Sequence, residues 1–210
     1  MLERIPRRER IDLVIAWLAI AVAFTIARFN LLGGGIDPAS ALLVFLISLL
    51  TVGIGFVLHE LAHKFTAMHF GFWAEFRKDN QMLLIAVVLA AIAGVVFAAP
   101  GATVIYGDRI GRRENGLISA AGPATSLVLS LGFLVLFLLA PQSLIGVIGL
   151  AGFQINAMIA AFNMLPVSVL DGRKVLAWNI AVFIIMIGAS FALTYIALTP
   201  RVLGQLSSIF

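Results

Sequence analysis

The chain contains few charged residues and no cysteine. Only 11% of its 210 residues are charged, whereas 62% are hydrophobic, and the mean hydropathy is +1.11. Because a soluble domain carries about 25% charged residues, too few polar side chains are present here to cover a water-facing surface. The lack of cysteine excludes a disulfide framework, a thiol nucleophile and a thiolate metal site. The sparse lysines and arginines lie at the ends of apolar segments, so nucleic-acid binding is not indicated.

Long apolar runs make up most of the sequence. A membrane-spanning helix needs about 20 predominantly apolar residues, and six segments approach or exceed that length. We therefore predict an all-α polytopic membrane protein in which five or six segments cross, forming a single domain over residues 1–210. The segments are about 11–32 (an N-terminal anchor), 41–70, 82–99, 117–140 (interrupted early by Gly122-Pro123), 143–165 and 175–199 (a C-terminal helix).

The distribution of positive charge predicts the orientation. Cytoplasmic loops are enriched in lysine and arginine, so the four arginines within residues 4–10 place the N-terminus in the cytoplasm. If segment 82–99 is embedded without crossing, the basic residues of the later loops also stay inside, and only Arg28 and Arg201 fall near the outer face. That segment would form a helix of about 27 Å, against a hydrocarbon core of about 30 Å. We expect five crossings plus one embedded segment, with six plain crossings as the alternative.

Glycines recur inside two of the apolar segments. Gly146, Gly149 and Gly152 form a stripe of small residues that lets neighbouring helices approach closely. Gly53 and Gly55 lie in the second segment, where they would serve either packing or the opening of a water path. These two possibilities stay open at the level of the sequence.

A short polar motif interrupts the second apolar segment, reading His59-Glu60-Leu61-Ala62-His63. Two histidines four residues apart lie on one face of a helix, so both rings can reach a single zinc ion, and the intervening glutamate can accept a proton from the attacking water. Ionisable residues in a spanning helix mark a functional site by default. The alternative is a polar cluster at the helix end, where Lys64 begins the cytoplasmic rim. His69 is expected to be interfacial and not a ligand.

A catalytic zinc takes three protein ligands and one open position. With no cysteine and no further suitable histidine, the third ligand should be a carboxylate. Asp171 stands out among the candidates because Pro166 breaks the fifth segment shortly before it and Gly172 allows tight backbone approach beside it. The candidates are Asp12, Asp37, Glu75, Asp79, Asp108, Glu114 and Asp171.

The two motifs together resemble the site-2 protease family of intramembrane zinc metalloproteases. The family signatures are HExxH in one transmembrane helix and NxxPxxxxDG in a later one, matched here by residues 59–63 and by Asn163-Met164-Leu165-Pro166-Val167-Ser168-Val169-Leu170-Asp171-Gly172. Ser119-Ala120-Ala121-Gly122-Pro123 is similar to the Ala-Gly-Pro segment that lies between them. The resemblance covers a catalytic core of about residues 41–180.

This resemblance implies roles for individual residues. His59, His63 and Asp171 would bind zinc, Glu60 would be the catalytic base, and Asn163 would hold the substrate backbone or the developing oxyanion. The chain departs from the family at two places: Ser126 stands where an asparagine is frequent, and Val167-Ser168-Val169 replaces a proline-rich run. These departures leave the ligands and the base intact and affect expected substrate contacts.

The function expected from these observations is that of a zinc metalloendopeptidase with one Zn²⁺ per chain. The resemblance implies a substrate that is itself a transmembrane helix and unwinds locally before cleavage. We expect a prokaryotic cell membrane, the lipid bilayer as surroundings, the N-terminus and active site on the cytoplasmic side, and no nucleic-acid partner. A metal-binding or transport protein is the rival interpretation; it lacks support because no internal repeat is present and transport does not require Glu60.

Overall fold

The computed structural model describes residues 4–29, 37–94, 96, 101–107, 110–167 and 169–207, and the side chains only as far as residue 204. Helices account for most of these residues, and two short strands form an antiparallel pair. In chain order the elements are α1 (Arg7–Phe29), α2 (Pro38–Ser48), a π-helical turn (Leu49–Gly53), α3 (Ile54–His69), β1 (Trp73–Lys78), α4 (Asn80–Ala93), β2 (Gly101–Tyr106), α5 (Arg112–Leu139), α6 (Leu144–Asn163), α7 (Asp171–Trp178), α8 (Ile180–Leu198) and α9 (Pro200–Ser207).

Among the described residues, five helical stretches are long and apolar enough to cross a membrane. They are α1, the continuous stretch Pro38–His69, α5, α6 and α8. The stretch Pro38–His69 is 32 residues long and joins α2, the π-helical turn and α3 into one rod. The predicted class, an all-α polytopic membrane protein, is confirmed.

The third predicted segment differs from the other five. Helix α4 has 14 residues, which gives about 21 Å at 1.5 Å per residue, well short of a hydrocarbon core of about 30 Å. The two strands that flank it pair with each other, and Lys78 lies opposite Gly101. The chain therefore leaves the sheet after Lys78 and returns to the same place at Gly101. This geometry favours an embedded excursion over a crossing.

The strand pair itself was not predicted. Its second strand contains the run Thr103-Val104-Ile105-Tyr106, which is rich in the β-branched and aromatic residues that favour strands. That signal was available in the sequence, but the polar stretch containing β1 gave no reason to expect a partner strand. We call β1 and β2 together, residues 73–78 and 101–106, the strand pair.

The observed helix boundaries contradict two of the predictions made from the sequence. The single C-terminal helix over 175–199 is wrong, because Asn179 has extended backbone and its side chain accepts hydrogen bonds from Ala181 N and Val182 N. Asparagine in this role starts a new helix, so α7 and α8 are separate. The interruption at Gly122-Pro123 is also wrong: α5 runs through Pro123 and begins at Arg112, since proline is tolerated within membrane helices whose freed backbone groups find other partners.

Glycines determine how closely several helices pack. A Cβ on Gly149 would lie 2.5 Å from Phe137 N, and one on Gly152 would lie 2.3 Å from the Phe133 ring. The stripe predicted on α6 therefore does allow close approach to α5. In the second span, a Cβ on Gly53 would overlap the Trp17 ring, whose Nε1 donates to Leu49 O at 2.9 Å. Gly53 thus accommodates packing of α1 against the π-helical turn.

Candidate metal centre

The residues of both motifs meet at one end of the helix bundle. Helix α3 carries His59 and His63, and α7 begins with Asp171. Asp171 Oδ2 lies 3.6 Å from His59 Nε2 and 3.1 Å from His63 Nε2. One ligand atom from each residue lies within 4.8 Å of the others. Two imidazoles and one carboxylate, drawn from helices more than 100 positions apart in the chain, therefore converge on one point.

The turn between α6 and α7 delivers Asp171 to this point. Helix α6 ends at Asn163, and Pro166 lies in the irregular stretch that follows it. A Cβ on Gly172 would lie 2.1 Å from Met164 O, so only glycine lets the first turn of α7 rest on the end of α6. Burial opposes a charge on Asp171, but His63 and His59 outweigh it and hold the pKa of this carboxyl well below its ordinary value.

Helix α5 orients both histidine rings through their other nitrogen atoms. His63 Nδ1 lies 2.7 Å from Ile118 O, and because a carbonyl only accepts, Nδ1 is the donor. His59 Nδ1 hydrogen-bonds Ser126 Oγ at 2.9 Å. Partners of this kind fix ring orientation and tautomer in metal sites, so Nε2 of each ring is directed toward Asp171. Ile118 acts through its backbone and is therefore invisible to motif analysis.

Space for an ion lies beside these three groups. A Cβ on Gly122 would lie 2.2 Å from His63 Nε2 and 2.6 Å from His59 Nε2. A side chain at residue 122 would therefore occupy the space next to both Nε2 atoms, where an ion held by the two rings would lie. Two histidines and a carboxylate are the ligand set of many catalytic zinc sites, which keep a fourth position open. The donor set and the free space both fit zinc.

Glu60 and Asn163 lie close to the proposed ligands. Glu60 Oε2 accepts a hydrogen bond from Thr103 Oγ1 at 2.9 Å. A cavity of about 120 Å³ is lined by Glu60, His63, Asn163 and Asp171, together with residues of β2. Asn163 Nδ2 donates to Ile159 O at 2.9 Å. The structure thus brings together the residues to which the family resemblance gave roles, and it adds Thr103, Ile118 and Ser126 as hydrogen-bond partners of Glu60, His63 and His59.

Two relatives carry names that describe this chemistry. A protein of Methanocaldococcus jannaschii named "Putative zinc metalloprotease" is 44% identical over 177 residues, which are 84% of this chain and 87% of the relative. The chain belongs to this zinc metalloprotease family. A Bacillus subtilis protein of the same name is 29% identical over 147 residues, covering 60% of this chain and 66% of that protein. No protein-family model matches the chain, and no solved structure matches it.

Family membership agrees with the predicted zinc cofactor. The relatives are named zinc metalloproteases, and the chain has a possible metal-binding group in His59, His63 and Asp171. Its enzymatic class, a metalloprotease, is confirmed at this level. The roles of the individual residues and the place of cleavage remain predictions.

The other carboxylates considered as a third ligand have different surroundings in this zinc metalloprotease. Asp37 and Asp79 cap α2 and α4, Glu75 pairs with Arg77, and Glu114 lies in the first turn of α5. Asp12 lies 3.9 Å from Arg77, and Asp108 falls outside the described residues. His69 is exposed at the end of α3, away from the cluster. Within the described part of the chain, the one grouping suited to a metal ion is the histidine pair with Asp171.

The burial of Lys64 was not predicted. The sequence places this residue where the cytoplasmic rim begins, and in the structure its side chain is completely buried. Its Nζ lies 2.5 Å from Glu9 Oε2 and donates to Ala74 O at 2.8 Å, and the ring of Trp73 lies 5.2 Å away. The reason is tertiary: α1 places a buried carboxylate next to α3, and a buried charge requires such a partner.

Proposed function

We propose that this chain is a zinc-dependent intramembrane endopeptidase of the site-2 protease type. It hydrolyses peptide bonds within or near the transmembrane helices of membrane-protein substrates. One observation carries the proposal: the helix that holds His59, Glu60 and His63 belongs to a 32-residue stretch apolar enough to span a membrane. A protease with its hydrolytic motif in such a helix is suited to substrates that share the bilayer.

The proposal assigns a function to each residue of the site. His59, His63 and Asp171 would hold a single zinc ion, which would act as a Lewis acid on the scissile carbonyl and on the attacking water. Glu60 lies next to the first ligand and accepts the proton of the attacking water, then passes it to the leaving amine. Asn163 lines the same cavity and holds the substrate backbone or the developing oxyanion.

The charge distribution supports a cytoplasmic active site. The motif lies near the C-terminal end of the second span, and Asp171 follows the end of α6, the fourth span. Five spans starting from a cytoplasmic N-terminus bring both of these ends to the cytoplasmic side. The return of the chain at Gly101, opposite Lys78, agrees with this count because the excursion through α4 adds no crossing.

A substitution of the base tests the mechanism. Glu60→Gln keeps the size of the side chain but cannot accept a proton, so cleavage of a transmembrane reporter should fall by at least about 100-fold, with zinc still near one equivalent. Glu114→Gln, the same change at the start of α5, is the matched control and should cleave normally. Cleavage by Glu60→Gln at the wild-type rate would show that the base is misassigned.

A pair of reporters tests the substrate class. The same scissile sequence is offered within a membrane-spanning helix in proteoliposomes and as a soluble peptide, with and without a zinc chelator. We expect chelator-sensitive cleavage of the membrane-embedded reporter and little cleavage of the soluble peptide. Equal cleavage of both would contradict intramembrane specificity while leaving the metalloprotease chemistry intact.

A further inference from the structure

The hydroxyl of Thr103 contacts Glu60 twice. Thr103 Oγ1 lies 2.9 Å from Glu60 Oε2 and 3.2 Å from Glu60 O. Both atoms are acceptors, so the hydroxyl donates its proton to them, chiefly to the nearer carboxylate oxygen. Because threonine is β-branched, its χ1 angle is restricted, and the direction of this donor follows from the position of β2. The contact joins the strand pair to Glu60, the side chain proposed as the base.

The strand that carries Thr103 is itself firmly held. Thr103 lies opposite Phe76 in the strand pair, and Phe76 N donates to Glu9 Oε1 at 3.0 Å. The neighbouring Ala74 O accepts from the buried Lys64. The Phe76 ring is 1% exposed and packs edge-on against Phe56 of α3, with 5.5 Å between centroids. The ion pair, the hydrogen bonds and the aromatic packing thus fix the strand pair relative to α3.

A glutamate base requires such support because its side chain is flexible. Ordering a glutamate side chain costs up to about 2 kcal/mol of rotamer entropy, and proton transfer needs its carboxylate at hydrogen-bond distance from the attacking water. A donor bonded to one carboxylate oxygen leaves the second oxygen available to accept that proton. The observed contact to Oε2 satisfies this requirement.

We propose that Thr103 is a positioning residue, whose hydroxyl holds the Glu60 carboxylate in the orientation needed for proton transfer. The proposal rests on the proposed function, in which Glu60 is the base. It gives the strand pair a part in the chemical step: β2 supplies the hydroxyl, and the Glu9–Lys64 pair holds the adjoining strand in register. In a purely structural role, Thr103 would instead hold the strand pair against the backbone of α3 through its hydrogen bond to Glu60 O.

Three variants of the full chain separate these roles. Thr103→Val keeps the shape and the strand propensity but removes the hydroxyl, whereas Thr103→Ser keeps the hydroxyl. Val104→Ala, on the exposed outer side of the same strand, is the matched control. Each is purified with zinc, and its kcat and KM for the transmembrane reporter, its zinc content and its melting temperature are measured.

We expect Thr103→Val to lower kcat by about 10- to 100-fold, the loss of one hydrogen bond to a charged group, with KM within about twofold of wild type. Zinc content and melting temperature should not change. Thr103→Ser should restore most of kcat, and Val104→Ala should behave as wild type. Wild-type kcat in Thr103→Val, or equal losses in the valine and serine variants, would overturn the proposal.

The Glu60→Gln variant distinguishes failure of this inference from failure of the proposed function. If Glu60→Gln is inactive and Thr103→Val is fully active, Glu60 is the base and Thr103 does not position it. If Glu60→Gln is active, the base itself is misassigned and both proposals fall. A loss of zinc or a lower melting temperature that accounts for the lost activity of Thr103→Val would show a structural role and likewise overturn the inference.

Discussion

The two ends of the helix bundle are held together in different ways. At the end that carries the candidate metal-binding group, buried polar contacts join the elements: Lys64 to Glu9, and His59 to Ser126. At the opposite end, α5 and α6 pack through Gly149 and Gly152 against phenylalanines. Polar contacts are directional and set orientation, which a metal site needs. Small-residue packing sets only distance, and this is sufficient for two helices that hold the fold.

Glycine occurs at both ends, but the space that its missing Cβ leaves adjoins different groups at each end. The missing Cβ of Gly122 leaves space beside the His59 and His63 Nε2 atoms, whereas the missing Cβ of Gly149 leaves space for the backbone of α5 at Phe137. The first space suits an ion, and the second is filled by the protein itself. Equal substitutions at the two positions should therefore have different consequences.

The largest effect is expected from Gly122→Ala. Its Cβ would stand 2.2 Å from His63 Nε2, so zinc affinity should fall by more than about 100-fold and activity should be lost with it. Gly132→Ala on the same helix should keep both, because no described residue outside the local helix backbone lies within 4 Å of the added Cβ. Metal analysis of the purified variants checks this; full zinc occupancy in Gly122→Ala would place the metal elsewhere.

Lys64→Met should give the largest effect on stability, as opposed to zinc binding. The change leaves the Glu9 carboxylate buried without its partner, which costs about 3–5 kcal/mol. The double variant Lys64→Met/Glu9→Gln removes both charges and should recover most of that loss. Thermal unfolding in detergent compares the three proteins, and equal melting temperatures for the single variant and wild type would show that the pair does not hold the site end together.

Gly149→Ala tests the opposite end. The added Cβ would lie 2.5 Å from Phe137 N, a backbone atom that can move only with its helix, so stability should fall by about 1–3 kcal/mol. Zinc content per folded molecule should stay the same, in contrast to Gly122→Ala. Gly188→Ala in α8 is the control, because its added Cβ would meet no atom of the described residues within 4 Å beyond the local helix backbone. Zinc loss from folded Gly149→Ala would mean that the two ends are not independent.

The smallest effect is expected from Ser126→Ala. The hydroxyl orients His59 through Nδ1, and removal of such a partner weakens metal binding by about 10-fold. Ser130→Ala is the matched control, because its hydroxyl donates to Phe153 O and does not reach the metal-binding group. Chelator competition measures the affinities; identical values for both variants and wild type would show that Ser126 does not orient the ring.

Much of the site was predictable because its residues follow helical and motif spacing. His59 and His63 are four residues apart, and residues at that spacing lie on the same face of a helix. Asp171 was distinguished from the other carboxylates by the nearby Pro166 and Gly172. Glu9, Thr103 and Ile118 were missed for two reasons. Glu9 and Thr103 contact α3 across long stretches of chain, and Ile118 contributes a carbonyl that every residue possesses.

The fold divides in the same way. Composition and the lengths of the apolar runs determine the membrane class and the positions of the five candidate spans, because a bilayer imposes length and apolarity on each span separately. Strand pairing between β1 and β2, the burial of Lys64 against Glu9 and the space beside Gly122 arise only when distant segments meet. The sequence by itself thus determined which residues could bind a metal and roughly where the spans lie. Only the tertiary structure decided how those residues are oriented and supported, since orientation depends on partners that no local pattern encodes.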